Sequence, residues 1–120
     1  MALALGGTRL SIPEGITCGV VDSGIGYMGT VSGKVYSVTI ATGVIIAALA
    51  NLDEKVVGIA TDGTTVFVGT DKGNIYGITI ADGTVSDILA QVDKNIVGML
   101  VATYLYVALD DGSVKYYTIS

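Results

Sequence analysis

The residues of this chain that could do chemistry are carboxylates, and they recur in short segments rich in Gly, Asp and Lys. Asp110 and Asp111 stand together in the segment LDDGS. A calcium site needs about six to eight oxygen ligands from a convergent loop, and LDDGS offers only the oxygens of one turn. Because turns favour Asp in any case, these acids indicate solvated turn residues, or else a docking face for a basic partner. The face would consist of Asp53, Glu54, Asp71, Asp93, Asp110 and Asp111.

Side chains for nucleophilic or acid–base catalysis are scarce. The chain has no His and one cysteine, Cys18, which has no second Cys for a disulfide and no His to activate it. We interpret Cys18 as a small buried apolar residue. The segment GTDKGN is interpreted as a strand–turn–strand hairpin and not as a phosphate-binding loop, because no helix follows it. The sequence therefore predicts no catalytic residue, no metal and no cofactor.

The charge distribution argues against two classes of partner. The 120 residues include 11 acidic and 6 basic side chains, for a formal net charge of −5. Nucleic-acid binding requires clustered Lys and Arg. Residues 35–52 are uncharged and approach the length of a membrane span, but the matching segment forty residues later contains Asp82 and Asp87. We predict neither nucleic-acid binding nor a membrane span.

A repeat of about forty residues organises the chain. Gly29 and Thr30 match Gly69 and Thr70, and residues 39–41 match residues 79–81. A third copy begins at residue 96 and is one residue shorter before residue 104. A fixed period of this length is typical of repeat architectures.

Each copy contains four pieces rich in Val, Ile, Thr and Tyr, which are residues that favour strands. In the second copy the predicted strands are residues 56–61, 66–70, 74–80 and 85–91. The turns TDG, DKGN and ADGT separate them, and Gly in such turns permits a tight hairpin. Four antiparallel strands in every forty residues predict an all-β fold, a β-propeller with about three four-stranded blades per chain.

The segment IATDGTTVFVGTDKGNIYGITIADGTV, residues 59–85, resembles the repeat of quinoprotein-type (PQQ-like) β-propellers. The resemblance covers nearly the whole chain and implies the propeller fold. The chain does not resemble WD repeats, since it has no Trp and no Gly-His pair. Members of the PQQ-like family that bind the quinone also carry Trp-docking motifs and a vicinal Cys pair. With no Trp and one Cys, this chain lacks the features that imply quinone chemistry.

The two ends of the chain fall within one blade of the repeat. Residues 1–15 align with residues 41–55, so we predict an outer strand of a shared blade there, blades at 16–55 and 56–95, and three strands of the shared blade at 96–120. Three blades are too few to close a ring, since known propellers have typically four to eight. We expect a head-to-tail homo-oligomer, and we favour a homodimer of six blades over a homotrimer of nine. Its predicted interface residues are Thr8, Leu10, Ile12, Val114, Tyr116 and Ile119.

The predicted function is that of a non-enzymatic, self-assembling propeller. Such a propeller would act as a structural or protein-interaction module, within a larger assembly such as a virion and with another protein as a further partner. The predicted inner strands ITCGVV, VVGIAT and IVGMLV carry no charge, which favours packing over catalysis. The opening MALALGG has no basic region of a signal peptide, so the expected location is cytoplasmic or virion-associated.

The alternative is a lectin-like or small-ligand-binding propeller, because the chain has seven Tyr residues. Tyr36 and Tyr76 recur at one strand position, which favours packing between blades. Tyr104, Tyr116 and Tyr117 have no aromatic counterpart in the other copies and are the candidates for exposed contacts.

Overall fold

The computed structural model describes residues 2–4, 6, 7 and 11–119, apart from the side chain of Ala47. The described part of the chain is built from strands joined by turns and loops. The strands are β1 Ile16–Asp22, β2 Ile25–Thr30, β3 Lys34–Thr39, β4 Val44–Asn51, β5 Val56–Thr61, β6 Thr65–Thr70, β7 Asn74–Thr79, β8 Ala90–Gln91, β9 Ile96–Val101, β10 Tyr104–Leu109 and β11 Val114–Thr118.

These strands form three consecutive antiparallel sheets, which we call blades 1, 2 and 3. Blade 1 has the order β1-β2-β3-β4, blade 2 the order β5-β6-β7-β8, and blade 3 the order β9-β10-β11. The innermost strand of blade 2, β5, contacts both β1 and β9, so the three sheets stand side by side with their first strands together. This arrangement is that of a β-propeller, and it confirms the fold expected from the repeat.

Two apolar cores hold the blades together, one at each junction. Tyr27 of blade 1 packs with Val56 and Val68 of blade 2 in the first core. Phe67 of blade 2 packs with Leu105 of blade 3 in the second. Because alternate residues of a strand point to opposite faces, blade 2 contributes one set of side chains to each core and is apolar on both faces.

The uncharged segment of residues 35–52 forms two strands of one sheet and not a membrane-spanning helix. Residues 35–52 contain most of β3, the turn after it and all of β4. The described residues include no helical segment that could span a bilayer.

The outer strand of blade 2 is shorter than predicted. Residues 85–91 form only β8 and an isolated bridge between Val85 and Ile78. The Ser86 hydroxyl accepts a hydrogen bond from the Gly77 amide at 2.9 Å and donates one to the Asp87 carbonyl at 2.7 Å. A Ser side chain that bonds nearby backbone in this way competes with the strand ladder. In blade 1 the corresponding segment is the complete strand β4.

A glycine allows the turn before that outer strand to pack on the neighbouring blade. Gly83 has a φ of +73°, and a Cβ there would lie 2.5 Å from the Leu49 carbonyl oxygen of blade 1. Both the positive φ and the close approach require a residue without a side chain. The turn is therefore a contact between blades as well as a connection within one.

We expect Gly83→Ala to destabilise the protein more than Gly63→Ala. Either substitution places a Cβ at positive φ, which costs about 1–2 kcal/mol. At Gly63, with φ of +93°, the nearest atom is the Asp22 Oδ2 at 3.5 Å, so only the backbone strain applies. Urea unfolding followed by circular dichroism measures the difference, and equal losses in the two variants would contradict a specific contact between Gly83 and Leu49.

Candidate assembly surfaces

The outward side of blade 3 carries aromatic residues at positions that are buried or half-buried in the other two blades. We call this side the end face; it includes Leu100, Tyr104, Tyr106 and Tyr116. Tyr106 occupies the repeat position of Tyr27 and Phe67, both of which are buried at blade junctions. Tyr106 itself is half-buried, and its partner across the ladder, Tyr116, is 65% exposed. The end face therefore has the composition of a junction but lacks the next blade among the described residues.

Three tyrosines form one cluster on the end face. The ring centroids of Tyr104 and Tyr116 are 5.3 Å apart, those of Tyr104 and Tyr106 are 6.3 Å apart, and so are those of Tyr106 and Tyr116. The Tyr104–Tyr106 pair is edge-to-face, with an interplanar angle of 84°. Such pairs are favourable beyond the apolar area that they bury, so the three rings form one contiguous aromatic surface.

At the other end of the three sheets, no preceding blade in the described structure covers the inner strand of blade 1. We call this side of blade 1 the start face; it includes Ile16, Gly19, Val21 and Gly26. Ile16 is 52% exposed, whereas its counterparts Val56 and Ile96 are 0% and 4% exposed because a preceding blade covers them. Val38, which lies on the start face farther from the inner strand, is buried. The side chains of Val38, Met28 and Ile40 meet above Gly26.

The predicted interface residues divide between the free edge of blade 3 and the N-terminal segment. Val114 and Tyr116 are exposed on β11, and Ile119, half-buried, follows that strand. β11 has β10 as a neighbour on one side and no strand on its other side in the described structure. Ile12 is half-buried outside any strand. Thr8 and Leu10 lie outside the described residues.

A cleft of about 730 Å³ opens between the outer parts of blades 2 and 3. Ser86 and Leu89 line its blade 2 side, and Tyr117 and Ile119 line the blade 3 side. Tyr117 also packs against the second core. The candidate for an exposed contact is thus partly engaged within the chain.

The predicted acidic docking face combines two sets of loops that the structure brings together. In each blade, the loop before the inner strand is hydrogen-bonded to the hairpin loop between the second and third strands. The amides of Val31, Asp71 and Asp110 donate to the carbonyls of Gly15, Lys55 and Asn95, respectively. Asp53, Asp71, Asp93, Asp110 and Asp111 are exposed there. Asp110 accepts a hydrogen bond from the Asn95 side chain at 3.0 Å. Asp111 accepts bonds from the amide and the hydroxyl of Ser113, and the hydroxyl is the main cause of the lowered pKa of Asp111.

Glu54 differs from the other residues of that face, because it binds inside blade 2. Its Oε1 accepts hydrogen bonds from the Thr70 hydroxyl at 2.6 Å and from the Asn74 amide nitrogen at 3.0 Å. Its Oε2 accepts one from the Tyr76 hydroxyl at 2.8 Å. We call Glu54, Thr70, Asn74 and Tyr76 the glutamate network. A carboxylate with three such partners fixes the loop before β5 to the third strand of the blade.

The network is repeated in part in blade 1 and replaced in blade 3. Glu14 accepts hydrogen bonds from the amide and hydroxyl of Ser32, and more distantly, at 3.5 Å, from the Tyr36 hydroxyl. In blade 3 the positions of Glu54, Thr70 and Tyr76 are taken by Lys94, Leu109 and Lys115. Sequence reasoning placed Glu54 on a docking face and Tyr76 in a core; the joint recurrence of Glu, Thr and Tyr in copies one and two was the signal that could have revealed the network.

The network shifts the ionisation of its members in opposite directions. The Thr70 hydrogen bond, with those from Tyr76 and Asn74, lowers the pKa of Glu54. Burial, and then the adjacent Glu54 carboxylate, raises the pKa of Tyr76. Both shifts favour a charged Glu54 beside a neutral Tyr76, which is the state that the hydrogen bonds require.

The remaining candidates for chemistry are packed or dispersed. Cys18 is half-buried, and burial raises the pKa of its thiol, which reduces the reactive thiolate at neutral pH. Among residues 2–4, 6, 7 and 11–119, no three His, Cys, Asp or Glu side chains are grouped as a metal site.

Tyr76→Phe should destabilise the protein by about 1.5 kcal/mol or more, since it removes one hydrogen bond to a charged carboxylate. Tyr36→Phe is the matched control. Its hydroxyl is 3.5 Å from Glu14, beyond the usual range for such bonds, so the loss should be smaller. Equilibrium unfolding in urea compares the two, and a larger loss in Tyr36→Phe would contradict the assignment.

Glu54→Gln should reduce the dependence of stability on pH. Because folding lowers the pKa of Glu54 from the ordinary value of 4.5, its stabilisation is complete above pH 4.5 and disappears as the pH falls through the lower folded value. In a pH series from 7 downwards, the wild-type chain should therefore keep its advantage over the variant to about pH 4.5 and lose it below that. Unfolding midpoints measured across this range provide the test, and parallel curves for the two proteins would refute it.

Comparisons with known proteins place the chain by fold. No family model matches it, and no curated protein does. The β-propeller domain of Cps50 (Swd1) from Myceliophteria thermophila matches with a TM-score of 0.76 at 13% identity, over 92% of this chain and 37% of that one. The WD40 domain of Pan2 from Neurospora crassa matches with a TM-score of 0.71 at 14% identity, over 86% of this chain and 32% of that one.

A third match is closer in length. The computationally designed Ika4 protein gives a TM-score of 0.57 at 15% identity, and the match covers 97% of this chain and 100% of the designed one. By contrast, the chain spans about a third of the Cps50 and Pan2 chains. At these identities the likeness shows the fold alone, and it establishes that this chain has the architecture of part of a β-propeller.

Proposed function

We propose that the chain is a self-assembling propeller module whose ring is completed by further copies of itself, joined head to tail. The observation that carries this proposal is the contrast between equivalent positions. Ile16 is exposed where Val56 and Ile96 are buried, and Tyr116 is exposed at the other end of the row. A blade that is apolar on both faces needs a neighbour on each side, and a second copy offers the complementary end.

The sizes of the residues on the two faces support their pairing. The end face carries larger side chains than the equivalent face of blade 2. Leu100, Tyr104 and Tyr116 replace Ala60, Thr65 and Gly77.

The start face carries smaller side chains than the equivalent face of blade 2, since Gly19 and Gly26 replace Ile59 and Val66. The flexible Met28 lies over Gly19 and can adjust to an incoming surface. Large residues opposite small ones are the arrangement that lets two faces interdigitate.

The role that fits this architecture is structural or interaction-based and non-enzymatic. The module presents charged loops, including exposed Asp53, Asp71 and Asp93, from a ring whose apolar surfaces are used in its own assembly. We place it within a larger assembly such as a virion, where the exposed acidic loops dock a basic partner. A homodimer supplies six blades, within the usual range for propellers, and a homotrimer supplies nine.

Light scattering coupled to gel filtration tests the assembly. We expect a mass of about 24 kDa for two chains, or about 37 kDa for three, against 12.2 kDa for one. Tyr116→Asp should weaken association at least about thirtyfold, since a buried aromatic anchor is typically worth 2 kcal/mol or more. The matched variant Thr64→Asp, in the exposed turn between β5 and β6 of the middle blade, introduces the same charge outside the residues of both faces and should assemble as the wild type does. A folded 12.2 kDa monomer at micromolar concentration would refute the proposal.

A further inference from the structure

Among the described residues, the third strand of blade 3 lacks the outer neighbour that the third strands of blades 1 and 2 have. β3 pairs with β2 and β4, and β7 pairs with β6 and β8. β11 pairs with β10, and within the described residues its other edge is open. An unpaired strand edge is a template for another strand.

Blades 1 and 2 share one register between their third and outer strands. Lys34 lies opposite Asn51, and Asn74 lies opposite Gln91, whose side chain donates a hydrogen bond to Asn74 at 2.8 Å.

The register continues one residue further, at the loop end of the strands. The Leu52 amide donates to the Gly33 carbonyl at 2.9 Å. The Val92 amide donates to the Gly73 carbonyl at the same distance. The repeat therefore fixes which residues face one another in a complete blade.

We propose that a second copy adds its segment at Ser11 and Ile12 to β11 as the outer strand of blade 3, with Ser11 of the second copy opposite Ser113. The amide of Ile12 of the second copy then donates to the Gly112 carbonyl. Ser113 has the repeat position of Lys34 and Asn74, and Ser11 has that of Asn51 and Gln91. This proposal rests on the head-to-tail assembly proposed above and specifies its register.

The cleft between blades 2 and 3 lies where, at the junction of blades 1 and 2, an outer segment packs against the core. At the junction of blades 1 and 2, Val85, from the outer segment of blade 2, packs against the apolar core. At the next junction the corresponding position is the cleft of about 730 Å³, walled by Leu89 on one side and Tyr117 on the other. An added strand along β11 would place its side chains in this cleft.

A disulfide between Ser11→Cys and Ser113→Cys tests the register. Residues directly opposite in an antiparallel ladder have Cα atoms about 4.5–5.5 Å apart, which a disulfide can span. We expect mild oxidation of the double variant to give a covalently closed ring, seen as a dimer or a trimer on a non-reducing gel and as monomer after reduction. Both serines are exposed in the single chain, so the substitutions do not disturb a core.

The control is Ser11→Cys with Lys115→Cys, which moves the second cysteine two residues along β11 and should cross-link poorly. The single variants Ser11→Cys and Ser113→Cys should remain free of the closed ring despite the native Cys18. Efficient cross-linking at Lys115 in place of Ser113 would overturn the register. An assembly of the expected mass without the Ser11–Ser113 disulfide would overturn this inference and leave the head-to-tail ring intact, whereas a monomer would overturn both.

Discussion

The structure depends on one constraint: each blade is a thin sheet that is apolar on both faces and must be covered on both sides. Blade 2 satisfies it inside one chain, since Tyr27 covers it from blade 1 and Leu105 covers it from blade 3. The short turns, the glycine contact at Gly83 and the alignment of the inner strands all serve to bring the faces together. In the described structure, the outer faces of blades 1 and 3 have no such cover.

Polar contacts have a separate role, which is to fix the loops. The Glu54 carboxylate joins the loop before β5 to Thr70 and Tyr76. Backbone hydrogen bonds between loops, such as the one from Asp71 to Lys55, recur in each blade. Since a partly buried carboxylate requires its partners, the network fixes the loop before β5 relative to strands β6 and β7 of the same blade.

The fold was largely predictable because it is local and repeated. Strands such as β5 were predicted with their observed bounds, since β-branched runs between Gly turns define them without reference to the rest of the chain. The outer strand of blade 2 was overestimated because Ser86 bonds to Gly77 through its side chain, which hydrophobic patterning does not reveal. Glu54 was assigned to the surface for a similar reason: its partners are 16 to 22 residues away in sequence, and only the folded blade brings them together.

Lys94, Leu109 and Lys115 occupy blade 3 where blade 2 has its glutamate network. A blade without that internal tie depends more on what covers its faces than its two neighbours do. In the ring of copies proposed above, its order would be linked to the concentration of the chain itself, because the next copy would act as a ligand for the folded state. Blade 2, which is covered on both sides within one chain, would depend least on that concentration, and the two end blades would become fully ordered together as it rises.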